Sequence, residues 1–336
     1  MKIRSFRHAA PALAALAAAT VLLAGCSTGD APAGDAASGS AASTGAFPAT
    51  VTTKFGDVTV DEEPQRIVAL GWGDAETALA LGFQPVGASD WLGFGGDGVG
   101  PWAEDLYDES PEIIGTLEPS YEAIAALEPD LILDVKGSGD QERYDRLSSI
   151  ATTIGVPEGG DSYLTDWQDQ ITMISTALGV PDEGEQVIAD VAQATADAAA
   201  AHPEWAGLTA SAATKTSEGW GAYVEGGERV QLLEDLGFVQ NPDIAALPAN
   251  AGGFSVDIST EQLDVLDADV IVAFPIFIET TEITDDPLWQ QIPAVAAGHS
   301  VVIDGDISAA YSLGTSLARV YAVEQLVPLL EAATAS

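Results

Sequence analysis

Two periodicities alternate along the chain from about residue 47 onward. Short apolar runs bounded by Gly, Pro and Asp predict buried strands, and stretches with apolar residues three and four apart predict helices. Residues 52–60 predict a hairpin with Gly56 and Asp57 near its turn. The run Arg66-Ile67-Val68-Ala69-Leu70 predicts a strand, followed by a Gly-rich turn and a helix over 74–81 that Gly82 ends. A strand at 85–88, a helix at 121–127, a strand at 130–135 and a helix at 143–150 come next. Residues 162–178 hold no Gly or Pro and predict one long helix; 182–201 predict another, rich in Ala. After Pro203 the alternation resumes with strand 208–213, helix 230–236 closed by Gly237, helix 260–266, strands 269–274 and 301–304, and a terminal helix over 316–332. Such alternation predicts an α/β fold with mostly parallel sheets flanked by helices.

The two halves parallel one another. TALALGF at 77–83 matches the end of QLLEDLGF at 231–238, and YEAIAALEPDLIL at 121–133 matches TEQLDVLDADVIV at 260–272. The duplication predicts two lobes, and a cleft between lobes is where a ligand sits.

The N-terminus breaks the pattern. Lys2, Arg4 and Arg7 precede an apolar or small-residue run over 11–24. A charged start and a short apolar core predict a secretory signal, and the run is shorter than the roughly 20 residues that span a bilayer. Leu23-Ala24-Gly25-Cys26 resembles the bacterial lipobox, which implies cleavage before Cys26 and lipidation of that residue. Cys26 then anchors the protein at the membrane surface. Residues 27–46 are Gly-, Ala- and Ser-rich without apolar periodicity, and predict a flexible tether.

Charge narrows the possible partners. The 336 residues carry 11 Lys+Arg against 52 Asp+Glu, a net charge of −41; loss of the three cations in 1–25 makes it −44. Such a field repels phosphate backbones and argues against nucleic acid. With 47% hydrophobic residues the chain is not disordered in composition. One Cys allows no intrachain disulfide, and His8, His202 and His299 allow no site of three or four histidines. Gly93–Gly98 matches G-x-G-x-x-G but leads into no helix start. A secreted α/β enzyme would need a nucleophile or metal constellation, and an adhesive lipoprotein would need repeats or a β-rich body; neither pattern is present.

Taken in order, Pro64–Leu70, Glu76–Gly82, Glu122–Leu133, Ile258–Ala273, the run DPLWQQIPAV at 286–295 and GHSVVID at 298–304 resemble the substrate-binding lipoproteins of ABC importers. The similarity is to the helical-backbone class that serves iron–siderophore complexes, haem and cobalamin, and it spans about 47–332. It implies no catalysis, limited hinge motion, and two lobes joined by one long helix. The domain expectation is therefore a signal at 1–25, a tether at 26–46, a first lobe at 47–160, a linking helix at 161–181 and a second lobe at 182–336. The resemblance also implies a monomer that meets a membrane permease, with Glu76 and Glu234 as docking residues, one on each lobe.

Ligands of open α/β sheets meet the loops at the carboxyl ends of strands. The residues found there are Trp72, Trp91, Phe94 and Lys136 in the first half, and Lys215, Trp220, Tyr223, Phe254, Phe277 and Tyr311 in the second. Aromatic residues flanked by Gly make rigid walls for a bulky ligand, and a loop lysine pairs with a ligand oxygen. Each of these residues also has a plainer reading, as loop packing or as a solvated lysine. Trp102, Trp167, Trp205 and Trp289 are assigned to packing. The strongly acidic chain favours a hydroxamate iron complex over an anionic catecholate one. Haem would call on Tyr223 or Tyr311 as an axial ligand, and cobalamin stays open. No cofactor and no protein metal ligand are expected, because a siderophore fills the iron's coordination shell itself.

Overall fold

A computed structural model describes residues 46–335, apart from Thr116, Asp161, Ser162 and Ala251. The signal, Cys26 and the tether up to residue 45 lie outside the described residues. The body opens with the hairpin β1 (Ala49–Thr53) and β2 (Gly56–Val60), whose buried and exposed residues alternate along β1 as a half-buried strand requires.

The first sheet follows. Its strands are β3 (Ile67–Ala69), β4 (Gly87–Ser89), β5 (Glu112–Ile114), β6 (Leu131–Leu133) and β7 (Thr152–Ile154), all parallel in the order β5-β4-β3-β6-β7. β3, β4 and β6 are buried at every residue, which is why they read as unbroken apolar runs. The interleaved helices are α1 (Asp74–Ala80), α2 (Tyr121–Ala126) and α3 (Gln141–Ser148). Strands β5 (Glu-Ile-Ile) and β7 (Thr-Thr-Ile) are short β-branched runs at the two edges of the sheet, and sequence reasoning passed over them.

The chain passes to the second sheet through two helices, α4 (Trp167–Ala177) and α5 (Pro181–Ala201). Both were expected, at 162–178 and 182–201; the first starts later than expected, at Trp167. The long element is α5, at 21 residues, and it starts where Pro181 takes the first helical position. Asp166 caps α4 by accepting from Gln168 N at 2.8 Å, and Gly179, with φ of 73°, ends it. Trp167, Ile171 and Val191 pack α4 onto α5, with Val320 of the terminal helix against them.

The second sheet is mixed. β8 (Thr209–Thr216) turns back into β9 (Gly219–Tyr223), and this hairpin pairs with β10 (Val239–Gln240), β11 (Ser255–Ile258), β12 (Val270–Pro275) and β13 (Ser300–Val302), along the path β11-β9-β8-β12-β13 with β10 beside β8. β9 and β11 run antiparallel to their neighbours. Its helices are α6 (Glu228–Asp235), α7 (Pro242–Ala245), α8 (Thr281–Thr284), α9 (Pro293–Ala297), α10 (Gly305–Leu313) and α11 (Ser316–Thr334). Residues 260–266 form 3-10 turns broken at Gln262, in place of the expected α-helix. One face of this sheet packs Tyr223, Phe274 and Tyr311 under α6, α10 and α11; the other packs Trp220, Ile271 and Trp289.

Candidate functional site

In the first sheet β3 lies at the centre, with β4 and β5 to one side and β6 and β7 to the other. The order of the strands therefore reverses between β3 and β6, and the carboxyl ends of these two strands mark where an open sheet meets its ligand. Trp72 follows β3 and Lys136 follows β6. Their loops are tied together, with Trp72 N donating to Lys136 O at 3.0 Å.

Asp74 fixes the pair from beneath. Its carboxylate accepts from Val135 N at 2.8 Å, from Lys136 N at 3.3 Å and from Gln170 Nε2 at 2.6 Å, and Gln170 also donates to Trp72 O. Burial pushes the Asp74 pKa up to about 6, against the pull of these donors. Gly71 is required here, because a Cβ would lie 2.3 Å from Asp74 Oδ2. The segment entering α4 closes over the same loops: Thr165 Oγ1 donates to Val135 O, and Tyr163 N to Gly137 O.

An aromatic row results. Trp91 stacks on Trp72 with ring centres 3.9 Å apart, and Trp72 on Tyr163 at 4.3 Å. Tyr163 is held at φ of 62°, a left-handed conformation that a non-glycine residue adopts at a cost. The indole N–H groups of Trp72 and Trp91 are shielded from solvent and donate to no protein acceptor.

The second lobe supplies the facing wall. Arg229, near the start of α6, lies over the rings of Tyr223 at 4.3 Å and Phe274 at 5.5 Å, and its Nε donates to Ser312 Oγ. Tyr311 Oη donates to Arg229 O at 2.6 Å and holds the helix start in place. Phe254 stacks beside Tyr223. Phe277, after β12, is fully exposed, at 102%, and also sits in the left-handed region at φ of 56°.

Two cavities lie between these walls. One, of about 360 Å³, is lined by Lys136, Tyr163, Tyr223, Glu228 and Phe254; the other, of about 730 Å³, by Phe94, Leu117, Pro275 and Phe277. They share Trp72, Trp91, Arg229, Ile276 and Ser312, so they form one divided cleft between the lobes. Of the residues expected to meet a ligand, Trp72, Trp91, Phe94, Lys136, Tyr223, Phe254 and Phe277 line it.

Three others do not. Lys215 pairs with Asp286 at 2.8 Å and donates to Glu282 O, while Trp220 stacks on Trp289 and sits under the Lys215 ammonium. Both belong to the β8–β9 hairpin. Trp220 and Tyr223 are three apart on one strand and so face opposite sides of the sheet. Tyr311 lies in the core on α10, its hydroxyl spent on Arg229 O and its pKa raised by burial, so the haem-ligand role expected of it fails.

The docking expectation for Glu76 fails as well. It is 2% exposed, accepts from Trp102 Nε1, Gly100 N and Thr315 Oγ1, and ties the first lobe to the start of α11. Its pKa is raised by burial. Glu234 is half-buried on α6, with its pKa also raised by desolvation. Trp167, Trp205 and Trp289 are buried packing residues, whereas Trp102 is partly exposed and packs near Tyr321 and Phe94.

Arg229 and Tyr163 were missed by sequence reasoning. Arg229 had a signal: it is a cation in the first turn of a helix after a Gly pair, where the macrodipole disfavours it. Among the described residues, no group of three or more His, Cys, Asp and Glu is placed to hold a metal ion, and no helix is long and apolar enough to cross a membrane.

Two α/β lobes enclosing an aromatic cleft with unspent donors are the architecture of a solute-binding protein. Residues 67–307 match the periplasmic binding protein family, and the chain belongs to it. A Bacillus subtilis relative described as a "probable siderophore-binding lipoprotein" (YfiY) is 28% identical over 260 residues, covering 73% of this chain and 76% of the relative. The crystal structure of a periplasmic solute binding protein from Mycobacterium smegmatis superposes with a TM-score of 0.74 at 26% identity, covering 84% of this chain and 97% of that one. PiaA of Streptococcus pneumoniae, solved in complex with ferrichrome, gives 0.71 at 28%, covering 85% and 98%.

Proposed function

We propose that this chain is an extracytoplasmic lipoprotein, anchored through Cys26, that captures a ferric siderophore and delivers it to an ABC permease as a monomer. A hydroxamate complex is the favoured cargo. The observation that carries the reading is the row Trp91–Trp72–Tyr163 facing Arg229 across the cleft. Flat, rigid rings bury the organic shell of a chelate, and unspent donors meet its outward oxygens. The iron is cargo, coordinated by the chelator's own oxygens. The printed names of the B. subtilis relative and of the ferrichrome-bound S. pneumoniae protein support the same substrate class. Docking on the permease uses surface carboxylates, with the half-buried Glu234 as the second-lobe candidate.

Titration of tryptophan fluorescence tests the reading, using residues 44–336, which form one compact unit. A ferric trihydroxamate quenches it saturably, and Trp72→Ala or Arg229→Ala weakens binding about 100-fold, as loss of a central aromatic or arginine contact does. Saturation by haem or cobalamin alone would keep the solute-binding role and overturn the substrate. A ferric tricatecholate binding tightest would overturn the hydroxamate preference.

A further inference from the structure

Both halves of the cleft are walled mainly by apolar groups, but they differ in the charged side chains they hold. The larger cavity is walled by Leu92, Phe94, Leu117 and Phe277, with Asp306 and Ser308 as polar residues of its own. The smaller one gathers Lys136, Thr165, Asp166, Glu228 and Gln231. A compact chelate with an apolar exterior would leave the charged side chains of the second without a partner.

Resting on the proposed capture of a ferric chelate, we propose that the smaller cavity receives a carboxylate-bearing tail of the ligand, and that Lys136 selects for it. The argument is a balance of donors against acceptors. Lys136 is 7% exposed, and its ammonium makes one long bond, 3.3 Å, to Leu313 O of the opposite lobe. An ammonium has three donors, so two are unspent. Among the described residues it forms no ion pair. Trp72 and Trp91 add two unspent N–H groups, and Arg229 stands at the shared wall.

The carboxylates around Lys136 are already engaged. Glu228 bonds Arg319, Asp166 caps α4, and Asp74 accepts from two backbone N–H groups and Gln170. Together with Arg229 these are the charged groups that act on Lys136, and burial still holds its pKa below the usual lysine range. A buried cation short of an acceptor, beside two unspent indole N–H groups and the Arg229 guanidinium, calls for an anionic oxygen from the ligand. Lys136 and Arg229 come from opposite lobes, so one carboxylate between them would also bridge the cleft. The protein's long-range negative field slows such a ligand's approach but is screened within about 8 Å at physiological salt, whereas these contacts act at bonding distance.

Three iron(III) complexes that share one chelate test this: desferrioxamine B, a linear trihydroxamate ending in a primary amine, and its N-acetyl and N-succinyl derivatives. Their tails are cationic, neutral and anionic. The succinyl form is expected to bind at least 10-fold tighter than the acetyl form. Lys136→Met shrinks that ratio below about 3-fold and does not lower Tm. Equal affinities for the succinyl and acetyl forms, or tightest binding of the ammonium form, would overturn the tail assignment while the cargo class stands. Failure of all three to bind would instead overturn the trihydroxamate reading, and the tail assignment with it.

Discussion

The two walls of the cleft are held by different means. Trp72 and Lys136 stand on loops of an all-parallel sheet, locked from below by the buried carboxylate of Asp74 and by Gln170. The facing wall rises from a hairpin and a helix start, with Arg229 laid on Tyr223 and Phe274 and braced by Tyr311. The first wall is a polar lock under loops, the second an aromatic stack on strands. The lesson is that strand alternation decides which aromatics of the second lobe can meet a ligand: Tyr223 faces the cleft, while Trp220, on the same strand, faces the core behind it.

Trp220→Ala breaks the second wall's support without touching the cleft. Loss of a buried indole from its stack on Trp289 costs about 3–5 kcal/mol of stability. Chemical denaturation reads this as a lowered midpoint, while ligand affinity of the folded fraction stays within about 3-fold. A large loss of affinity at full stability would put Trp220 in the site after all.

Acidity probes both walls at once. Burial raises Asp74 to about 6 in the first wall and Glu228 to about 7 in the second, the latter although Arg319 beside it pulls the other way. Carboxyls whose folded pKa is raised hold their protons more tightly in the folded state. Their stabilising contribution is therefore present at low pH and is lost as pH rises between about 4 and 7. Each contributes on the order of 3 kcal/mol across that window. Tm should fall between pH 5 and pH 8, and Glu228→Gln should make the slope shallower whatever its absolute stability. An unchanged slope would place the effect elsewhere.

The smallest effect is expected at Phe277, whose ring packs on nothing and whose backbone is left-handed. Phe277→Gly relieves that conformation but adds freedom to the unfolded chain, so stability changes by less than about 1 kcal/mol. Affinity for the ferric chelate falls about 10-fold. Unchanged affinity would remove Phe277 from the binding surface.

Sequence reasoning reached the first wall because β3 and β6 are unbroken apolar runs, each followed by a Gly-rich turn that carries one conspicuous side chain, Trp72 or Lys136. It failed in the second lobe where a strand was read as a loop. Thr216 to Gly219 is a two-residue turn between paired strands, so Lys215 and Trp220 are cross-strand neighbours on the far face. Glu76 looked like a surface helix residue; only its tertiary partners Trp102 and Thr315, far away in the chain, explain its burial. Arg229 carried a readable clue, its misfit with the helix dipole, whereas Tyr163 depends on a stack with Trp72 that no local pattern encodes.

The most direct test of binding between the walls is a crystal structure of residues 44–336 grown with a ferric trihydroxamate, with iron located by its anomalous scattering. The account predicts one iron peak in the larger cavity, within reach of a chelate that touches Trp72, Trp91, Arg229 and Phe277. A peak on the Lys215–Trp220 face, or one bound outside the cleft altogether, would contradict it.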